Sequence, residues 1–347
     1  PEEMASLFGA FQSLSTNPTS SAERQVLILK AQTLATQFNQ VSKRFSDLNR
    51  LLNQSVATDI DSSNRLLGDI AKLNDQILAV EVGGGVANDL RDIRQQRLEE
   101  LGKLVQFTAV DQPSGVVDIV IDGVTMTSAS RVLEELEVYD PGDGQVQVRA
   151  RNSQQPLNLG GGNIHGTLEA RDGPIASLRS DIDRLAATLV GEVNAIHAGG
   201  YGLNGTTGED FFTGTDAASL AVNGVLVADP SRIQASSDPT ATGNNEVILQ
   251  LARLADKPLA ALGNETFAHS YGQSVARLGQ SLSSINSQIS NQQSVQDMLV
   301  RQRDSYSGVS LDEEMTDLIK YQKAFEASAR LVSLVDEMLD VVISMKR

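Results

Sequence analysis

The sequence has no cysteine and no tryptophan among its 347 residues, and aromatic residues make up only 4% of it. The absence of cysteine excludes disulfide bonds, thiolate metal sites and cysteine nucleophiles. Stability must therefore come from packing, and such a composition suits a protein that is exported unfolded and used outside the cell. The chain is 40% hydrophobic, which is enough for two or three domains with cores of their own.

Positive charge is also scarce. Lys and Arg number 28 against 44 Asp and Glu, so the formal net charge is −16, and no basic cluster is present. Proteins hold a phosphate backbone mainly through Lys and Arg, so the composition argues against nucleic acid as a partner. No run of 18 apolar residues occurs, and we expect no membrane insertion. Residues 1–11 lack the charged start and apolar core of a signal peptide.

Motifs for chemistry are missing too. The sequence has no P-loop, no dinucleotide-binding glycine pattern, no HExxH and no G-x-S-x-G. His165, His197 and His269 are not spaced as metal ligands, and we find no partner carboxylate for them at a metal-site interval. Neighbouring carboxylates such as Asp181 and Asp183 point to different faces of a helix. We therefore expect no catalytic residue, no metal and no cofactor, and an enzyme is the least favoured class.

The strongest pattern is a heptad repeat near the start of the chain. Apolar residues alternate in steps of four and three, then resume after one extra step of four, which is typical of a coiled-coil seam with a stutter. One helix from Ser21 to Val80 would be roughly 90 Å long at about 1.5 Å per residue, which predicts a rod-like molecule. The seam consists of Leu27, Ala31, Leu34, Phe38, Val41, Phe45, Leu48 and Leu52, followed by Val56, Ile60, Ser63, Leu67, Ile70, Asn74 and Ile77.

A second heptad pattern runs through the last helix, which we predict to begin near Leu311. Its apolar residues cover well over half of the helix circumference, more than one bundle needs. This width predicts a second partner, a neighbouring subunit or a chaperone; a fully buried core helix is the alternative. The predicted partner interface is Leu318, Ile319, Tyr321, Phe325, Leu331, Val332, Val335, Met338, Leu339 and Val342.

Between the two patterns the period changes from helical to two. Val117, Ile119 and Ile121 alternate with less apolar neighbours, and Asp122-Gly123 has the residues of a type I′ hairpin turn. Further on, 220–222 and 233–235 are predicted as short extended pieces. Asn223-Gly224 could instead turn a hairpin with 225–227, and the sequence does not decide between these pairings.

The predicted fold class is mainly α with a small β insert (α+β), an elongated multi-helix coiled-coil-like bundle plus an antiparallel β module. We predict a discontinuous helical rod domain over 1–105 and 163–310, with short β pieces near 211–236. An antiparallel β domain over 106–162 is inserted into it. Residues 311–347 form a C-terminal amphipathic helix for assembly and chaperone binding.

Several stretches resemble a known family. The segment from Ser310 to Arg330, continued by Val335 to Leu339, resembles the C-terminal signature of bacterial flagellar axial proteins. Three further stretches make the chain similar to the flagellar hook-associated protein 1 (FlgK) family in particular: Gly84 to Arg97, Gly166 to Asp172, and Tyr201 to Phe212. Matches are spread over nearly the whole chain, except for the β insert.

The resemblance implies a structural adaptor of the flagellum rather than an enzyme. Such a protein is exported by the flagellar type III system and forms a ring of identical copies between hook and filament, in contact with the hook protein and the neighbouring junction protein. A flagellar export chaperone binds the C-terminal helix in the cytoplasm, and the protein ends in the secreted, extracellular flagellum. The family's N-terminal segment, with its Thr-Pro-Gly-Tyr motif, is missing here. We expect that this fragment alone does not polymerise.

Two other classes stay open from the sequence. A related flagellar axial protein, either the second junction protein or a flagellin-like subunit, shares the C-terminal signature but should lack the three middle stretches. A secreted coiled-coil adhesin or effector would share the rod and the missing cysteine, but it would have no reason to carry the segment from Leu311 to Leu339.

Overall fold

The computed structural model describes residues 2–142, 144–307 and 311–344, and within these ranges the side chains of 306, 307, 311–313 and 339–344 are left out. Helices dominate, with small antiparallel sheets between them, which confirms the predicted fold class. The helices are α1 (Glu2–Thr16), α2 (Ser21–Val82), α3 (Asn88–Leu104), α4 (Gly162–Ala170), α5 (Ala176–His197), α6 (Gly224–Ala228), α7 (Glu246–Arg253), α8 (Phe267–Ser307) and α9 (Leu311–Ser344). The strands are β1 (Thr108–Asp111), β2 (Val117–Ile121), β3 (Val124–Ser128), β4 (Arg131–Val132), β5 (Leu136–Tyr139), β6 (Gln147–Ala150), β7 (Phe212–Thr213) and β8 (Ala221–Val222).

Helix α2 is one continuous helix of 62 residues, two residues longer at its end than predicted. Ser20 caps it, because its hydroxyl accepts a hydrogen bond from the Glu23 amide at 3.2 Å and satisfies one of the free N–H groups of the first turn. At about 1.5 Å per residue the helix is about 93 Å long. The predicted rod shape of the whole molecule stays a prediction.

Two parts of the α2 heptad seam are buried, each in its own hydrophobic core. The first core contains Leu27, Ala31, Leu34 and Phe38 together with residues of α1, α5, α7 and the 211–267 region. The second core contains the seam from Val56 to Ile70 together with residues of α3, α4 and the β strands. The seam thus packs on shorter helices and on strands, instead of on one long partner helix as in a two-stranded coiled coil.

The β strands form a four-stranded antiparallel sheet, in the order β1-β2-β3-β4, and a separate hairpin of β5 and β6. Ile119, Ile121 and Met126 are buried in the second core, as their alternation predicts. The turn between β2 and β3 has Asp122 at φ 46° and Gly123 at φ 77°, which matches the predicted type I′ turn.

The open choice around Asn223-Gly224 is settled against the second hairpin. Residues 224–228 are helix α6, and the Asn223 side chain caps it by accepting a hydrogen bond from the Val225 amide at 3.1 Å. Strand β8 pairs instead with β7. The piece 233–235 lies outside any strand, although the next residue, Ser236, bridges to Tyr201.

Two elements were not predicted. Helix α1 buries Leu7, Phe11 and Leu14 completely in the first core. A π-helical turn, Arg171–Ile175, joins α4 to α5 and contains Pro174. Its sequence does not differ in period from an ordinary helix, so periodicity could not reveal it.

The chain divides into two compact units, residues 1–279 and 280–347. The first unit contains both cores and the sheets, and the second contains the distal part of α8 and helix α9. The domain division given above stays a prediction. Over the described residues, no helix is long and apolar enough to cross a membrane.

Candidate assembly surface

Helix α9 leaves its apolar side chains uncovered. Among its described side chains, 314–338, all are exposed except the partly exposed Glu326. The predicted residues in this range have exposed fractions between 42% and 76%. They are Leu318, Ile319, Tyr321, Phe325, Leu331, Val332, Val335 and Met338. We call these eight residues the α9 surface. The side chains of Leu339 and Val342, also predicted, lie outside the described residues.

Heptad spacing lines up part of the α9 surface. Leu318, Phe325 and Val332 are seven residues apart and drift by only about 20° per step around a straight helix. Phe325 is the most exposed of them at 76%. The two interpretations from the sequence, a partner interface formed by these residues and a fully buried core helix, both stay predictions.

Four charged residues of α9 form two ion pairs along the helix. Lys323 lies 2.9 Å from Glu326, and Lys320 lies 3.6 Å from Asp317, both at a spacing of three residues. Pairs of this kind stabilise an exposed helix by only a few tenths of a kcal/mol. These ion pairs therefore add only slightly to the stability of α9 as a helix, and its apolar residues stay exposed in the described range.

The distal part of α8 shows the same exposure. Leu282, Ile285 and Ile289, predicted to share one face of this helix, are 53%, 41% and 49% exposed. The second unit as described therefore presents apolar residues on both of its helices.

An apolar groove lies in the first unit. It has a volume of about 650 Å³, and α1, α2, α5 and the first turns of α8 line it. Val41 and Phe45 of the α2 seam face this groove and are only partly buried. The predicted seam is therefore less buried at Val41 and Phe45 than at Leu27 to Phe38, because the groove lies beside it there.

Three buried arginines hold the first unit together, and sequence reasoning did not assign them a role. Arg24 donates from Nε to the Pro18 carbonyl at 2.9 Å and from Nη1 to the Ile233 carbonyl at 2.6 Å. Burial lowers the pKa of Arg24 to about 10, so it still carries its charge at neutral pH. Arg94 donates to Asn74 Oδ1 at 2.8 Å, and burial lowers its pKa. These contacts join segments that are far apart in sequence.

Arg171, the third of these arginines, lies in the π-helical turn. It donates to Asn53 Oδ1 at 2.7 Å and to the Val146 carbonyl at 2.8 Å, and it pairs with Asp172 at 2.6 Å. Both Arg94 and Arg171 fall in the stretches that carry the family resemblance. The position of Arg94 and Arg171 in those motifs indicated that they matter. A motif alone does not show whether such a residue makes a structural contact or binds a partner.

The histidines take two kinds of position. His197 is fully buried; its Nδ1 lies 2.7 Å from the Glu209 carbonyl, and its Nε2 accepts a hydrogen bond from the Gln234 amide at 3.0 Å. His165 and His269 each lie 3.5 Å from a glutamate four residues away, Glu169 and Glu265. The statement that no histidine has a partner carboxylate at such a spacing was therefore wrong. Within the described ranges, no group of three potential ligands could hold a metal ion.

Comparisons with known proteins bear on the whole chain. Residues 1–212 match the family model described as "Flagellar hook-associated protein FlgK helical domain", and residues 301–345 match "Flagellar basal body rod FlgEFG protein C-terminal". "Flagellar hook-associated protein 1" of Bacillus subtilis is 30% identical over 380 residues, covering 98% of this chain and 75% of that protein. The Escherichia coli protein of the same name is 24% identical over 439 residues, covering 99% and 80%.

A solved structure has the same fold. "The structure of the flagellar hook junction protein FlgK from Burkholderia pseudomallei" aligns with a TM-score of 0.57 and 23% identity. The alignment covers 61% of this chain and 40% of that one.

The chain is mainly helical with small antiparallel sheets, and the proteins that match it over nearly its full length are proteins of the bacterial flagellum. The matches over nearly the full length place it more narrowly. The chain belongs to the flagellar hook-associated protein 1 (FlgK) family, and its role is that of a hook-associated structural protein. The resemblance found in the sequence is thereby confirmed.

Proposed function

We propose that this protein is the adaptor between hook and filament, and that exported copies assemble side by side into a ring that contacts the hook protein and the next junction protein. The α9 surface carries this proposal. Fully burying a large apolar side chain is worth about 1.5–3 kcal/mol, so eight of them can provide most of the driving force for an interface. Part of this free energy is offset, because each subunit loses translational, rotational and side-chain freedom on assembly.

The same surface explains a need for protection before export. A free subunit with this much exposed apolar area would associate non-specifically at cytoplasmic concentrations. A chaperone that covers α9 in the cytoplasm, and that is released on export, removes this hazard. Residues 318–342 then bind two partners in succession, first the chaperone and later the neighbouring subunits of the extracellular flagellum.

Charge substitutions on α9 test the proposal. Phe325, Val332 and Val335 are changed together to Asp, and binding of the cognate flagellar export chaperone is measured by calorimetry. Each lost apolar contact costs about 1 kcal/mol or more, so we expect the affinity to fall at least about 100-fold. The matched control places three Asp residues at Thr316, Lys323 and Ala327, which are exposed and lie on the side of the helix opposite Leu318 and Phe325. Equal affinities for the two variants would contradict the proposal.

A cellular assay tests the junction role. A strain without this protein should carry hooks without filaments, and the full-length parent protein should restore filaments. The full-length protein with the triple Asp substitution should be present in the cytoplasm yet fail to restore them. Filaments on the strain that lacks the protein altogether would show that the junction role is wrong.

A further inference from the structure

The two cores that share α2 are separated by a stretch of weak packing. Between Ser42 and Val56, a range that is described throughout, no side chain of α2 is buried. Leu48 and Leu51 are 38% and 60% exposed. Helix stability in proteins comes mainly from a packed apolar face. This stretch is therefore held less firmly than the parts of α2 that precede and follow it.

The backbone connection back from the second core to the first is also weakened. It passes through the π-helical turn Arg171–Ile175, where Pro174 lacks an N–H group. π-helical turns are rare and are frequently found at functional positions. Arg171 in this turn contacts Asn53 in the weakly packed stretch of α2, so the two segments lie side by side.

Around Phe45 and Asn49 of α2, polar contacts and open space take the place of an apolar core. A cavity of about 300 Å³ is lined by Asn49 and Phe45 of α2 and by Arg171, Ser180 and Asp183. Asn49 Oδ1 is buried there without a hydrogen-bond partner among the described residues. The cavity opens to solvent, so no apolar packing fills this side of α2, and a well-packed interior leaves few polar atoms unsatisfied. Movement of the two cores here would disturb little apolar contact.

We propose that residues 43–55 and 171–175 form a joint about which the second core bends relative to the first. Arg171 limits the bending, because it connects the π-helical turn to Asn53 of α2 and to the carbonyl of Val146. In an assembled structure, this joint lets the second core adapt to its neighbours while the first core stays packed. The inference does not depend on the proposed function.

Amide hydrogen exchange on the whole chain tests the weak packing. Amides of 46–54 and 172–177 should exchange at least about 10-fold faster than those of 30–38 and 60–70, because local opening costs less where few apolar contacts are lost. The variant Arg171→Met should accelerate exchange further at the first two segments and leave 30–38 unchanged. Uniform protection along α2 would overturn the proposal.

Distance measurements test the bending itself. Because the chain has no cysteine, spin labels can be attached at introduced cysteines alone. Ala218 lies beside Asn39 and Asn163 beside Asp59, so Ala218→Cys with Asn163→Cys places labels about 30 Å apart along α2. The matched pair Ala218→Cys with Gln25→Cys has both labels at exposed positions next to the first core, on one side of the joint.

We expect a broader distance distribution for the pair across the joint than for the pair on one side of it. Arg171→Met should broaden the first distribution and leave the second unchanged. If Arg171→Met fails to fold, Asn53→Ala removes the same contact from a partly exposed position and should act in the same direction. Equal widths for both pairs, unaltered by either variant, would show that the two cores form one rigid body.

Discussion

The side chain of Asn74 pairs with the backbone of Val117 as a neighbouring strand would. Its Nδ2 donates to the Val117 carbonyl at 2.8 Å, and its Oδ1 accepts from the Val117 amide at 3.2 Å. Asn64 does the same to Leu136, with both distances at 2.8 Å. Helix α2 thus holds the two small sheets through amide side chains, and these bonds satisfy strand backbone that has no partner on that side.

Replacing Asn74 with Leu should destabilise the second core strongly. The change leaves the buried backbone groups of Val117 and the guanidinium of Arg94 without this partner, at a cost of about 2–4 kcal/mol. Urea unfolding followed by circular dichroism measures the loss. Gln76→Leu, at an exposed position two residues further along α2, should stay within about 0.5 kcal/mol. Similar losses for both variants would refute this role of Asn74.

Acid should destabilise the first core through His197. Burial is the main cause that lowers its pKa from 6.5 to about 4. The folded state therefore binds the proton less readily than the unfolded chain. The stabilisation is complete above pH 6.5 and is lost as the pH falls towards 4, by roughly 3 kcal/mol in all.

Urea unfolding of wild type and His197→Gln from pH 4 to 7.5 checks this. The variant should be less stable at pH 7.5, and the difference between the two proteins should shrink as the pH falls. Exposed carboxylates contribute equally to both curves and cancel in the difference. A difference that is the same at every pH would show that His197 does not titrate in this way.

Alanine substitutions at two glycines test how closely the backbone approaches the Glu81–Arg91 ion pair. Gly115 and Gly123 have φ values of +82° and +77°, so alanine is strained at both, by about 1–2 kcal/mol. A Cβ at Gly115 would also lie 2.6 Å from Glu81 Oε2, whereas nothing lies within 4 Å at Gly123. We expect Gly115→Ala to lower the free energy of unfolding more than Gly123→Ala. The same Cβ would also lie 2.8 Å from Arg91 Nη2, so adding Glu81→Ala and Arg91→Ala together should remove the excess.

An exposed and a buried phenylalanine should differ strongly in their contribution to the free energy of unfolding. Phe325 is 76% exposed, and Phe211 is completely buried in the first core. Phe211→Ala should cost about 3–5 kcal/mol. Phe325→Ala should change the free energy of unfolding by less than about 0.5 kcal/mol. Thermal unfolding of both variants provides the measurement, and a large loss for Phe325→Ala would mean that α9 is covered in the free chain.

The long-range pattern of the fold could be predicted from the sequence because burial imposes periodicity. The α2 seam, the alternation of β2 and the Asp122-Gly123 turn each follow from a local rule and agree with the structure. The sequence did not predict helix α1, because a short apolar helix is stabilised mainly by tertiary contacts and its own periodicity is too brief to identify it. The partners of the seam could not be predicted, since a heptad repeat shows that a face is covered without showing what covers it.

The predicted assembly residues were placed on one helix by the same periodicity, and the structure shows the described ones to be exposed. The arginine and asparagine contacts were beyond the sequence. Asn74 occupied a seam position, which indicated a buried polar residue, yet only the fold shows that Val117 lies opposite. Likewise the partners of Arg171 come from segments 118 and 25 residues away along the chain.

Helix α2 contributes residues to both cores. The core that condenses first fixes its part of α2 as helix, and this reduces the chain entropy that the other core loses when it folds. The weakly packed stretch between the cores then determines how strongly the folding of one core favours the folding of the other.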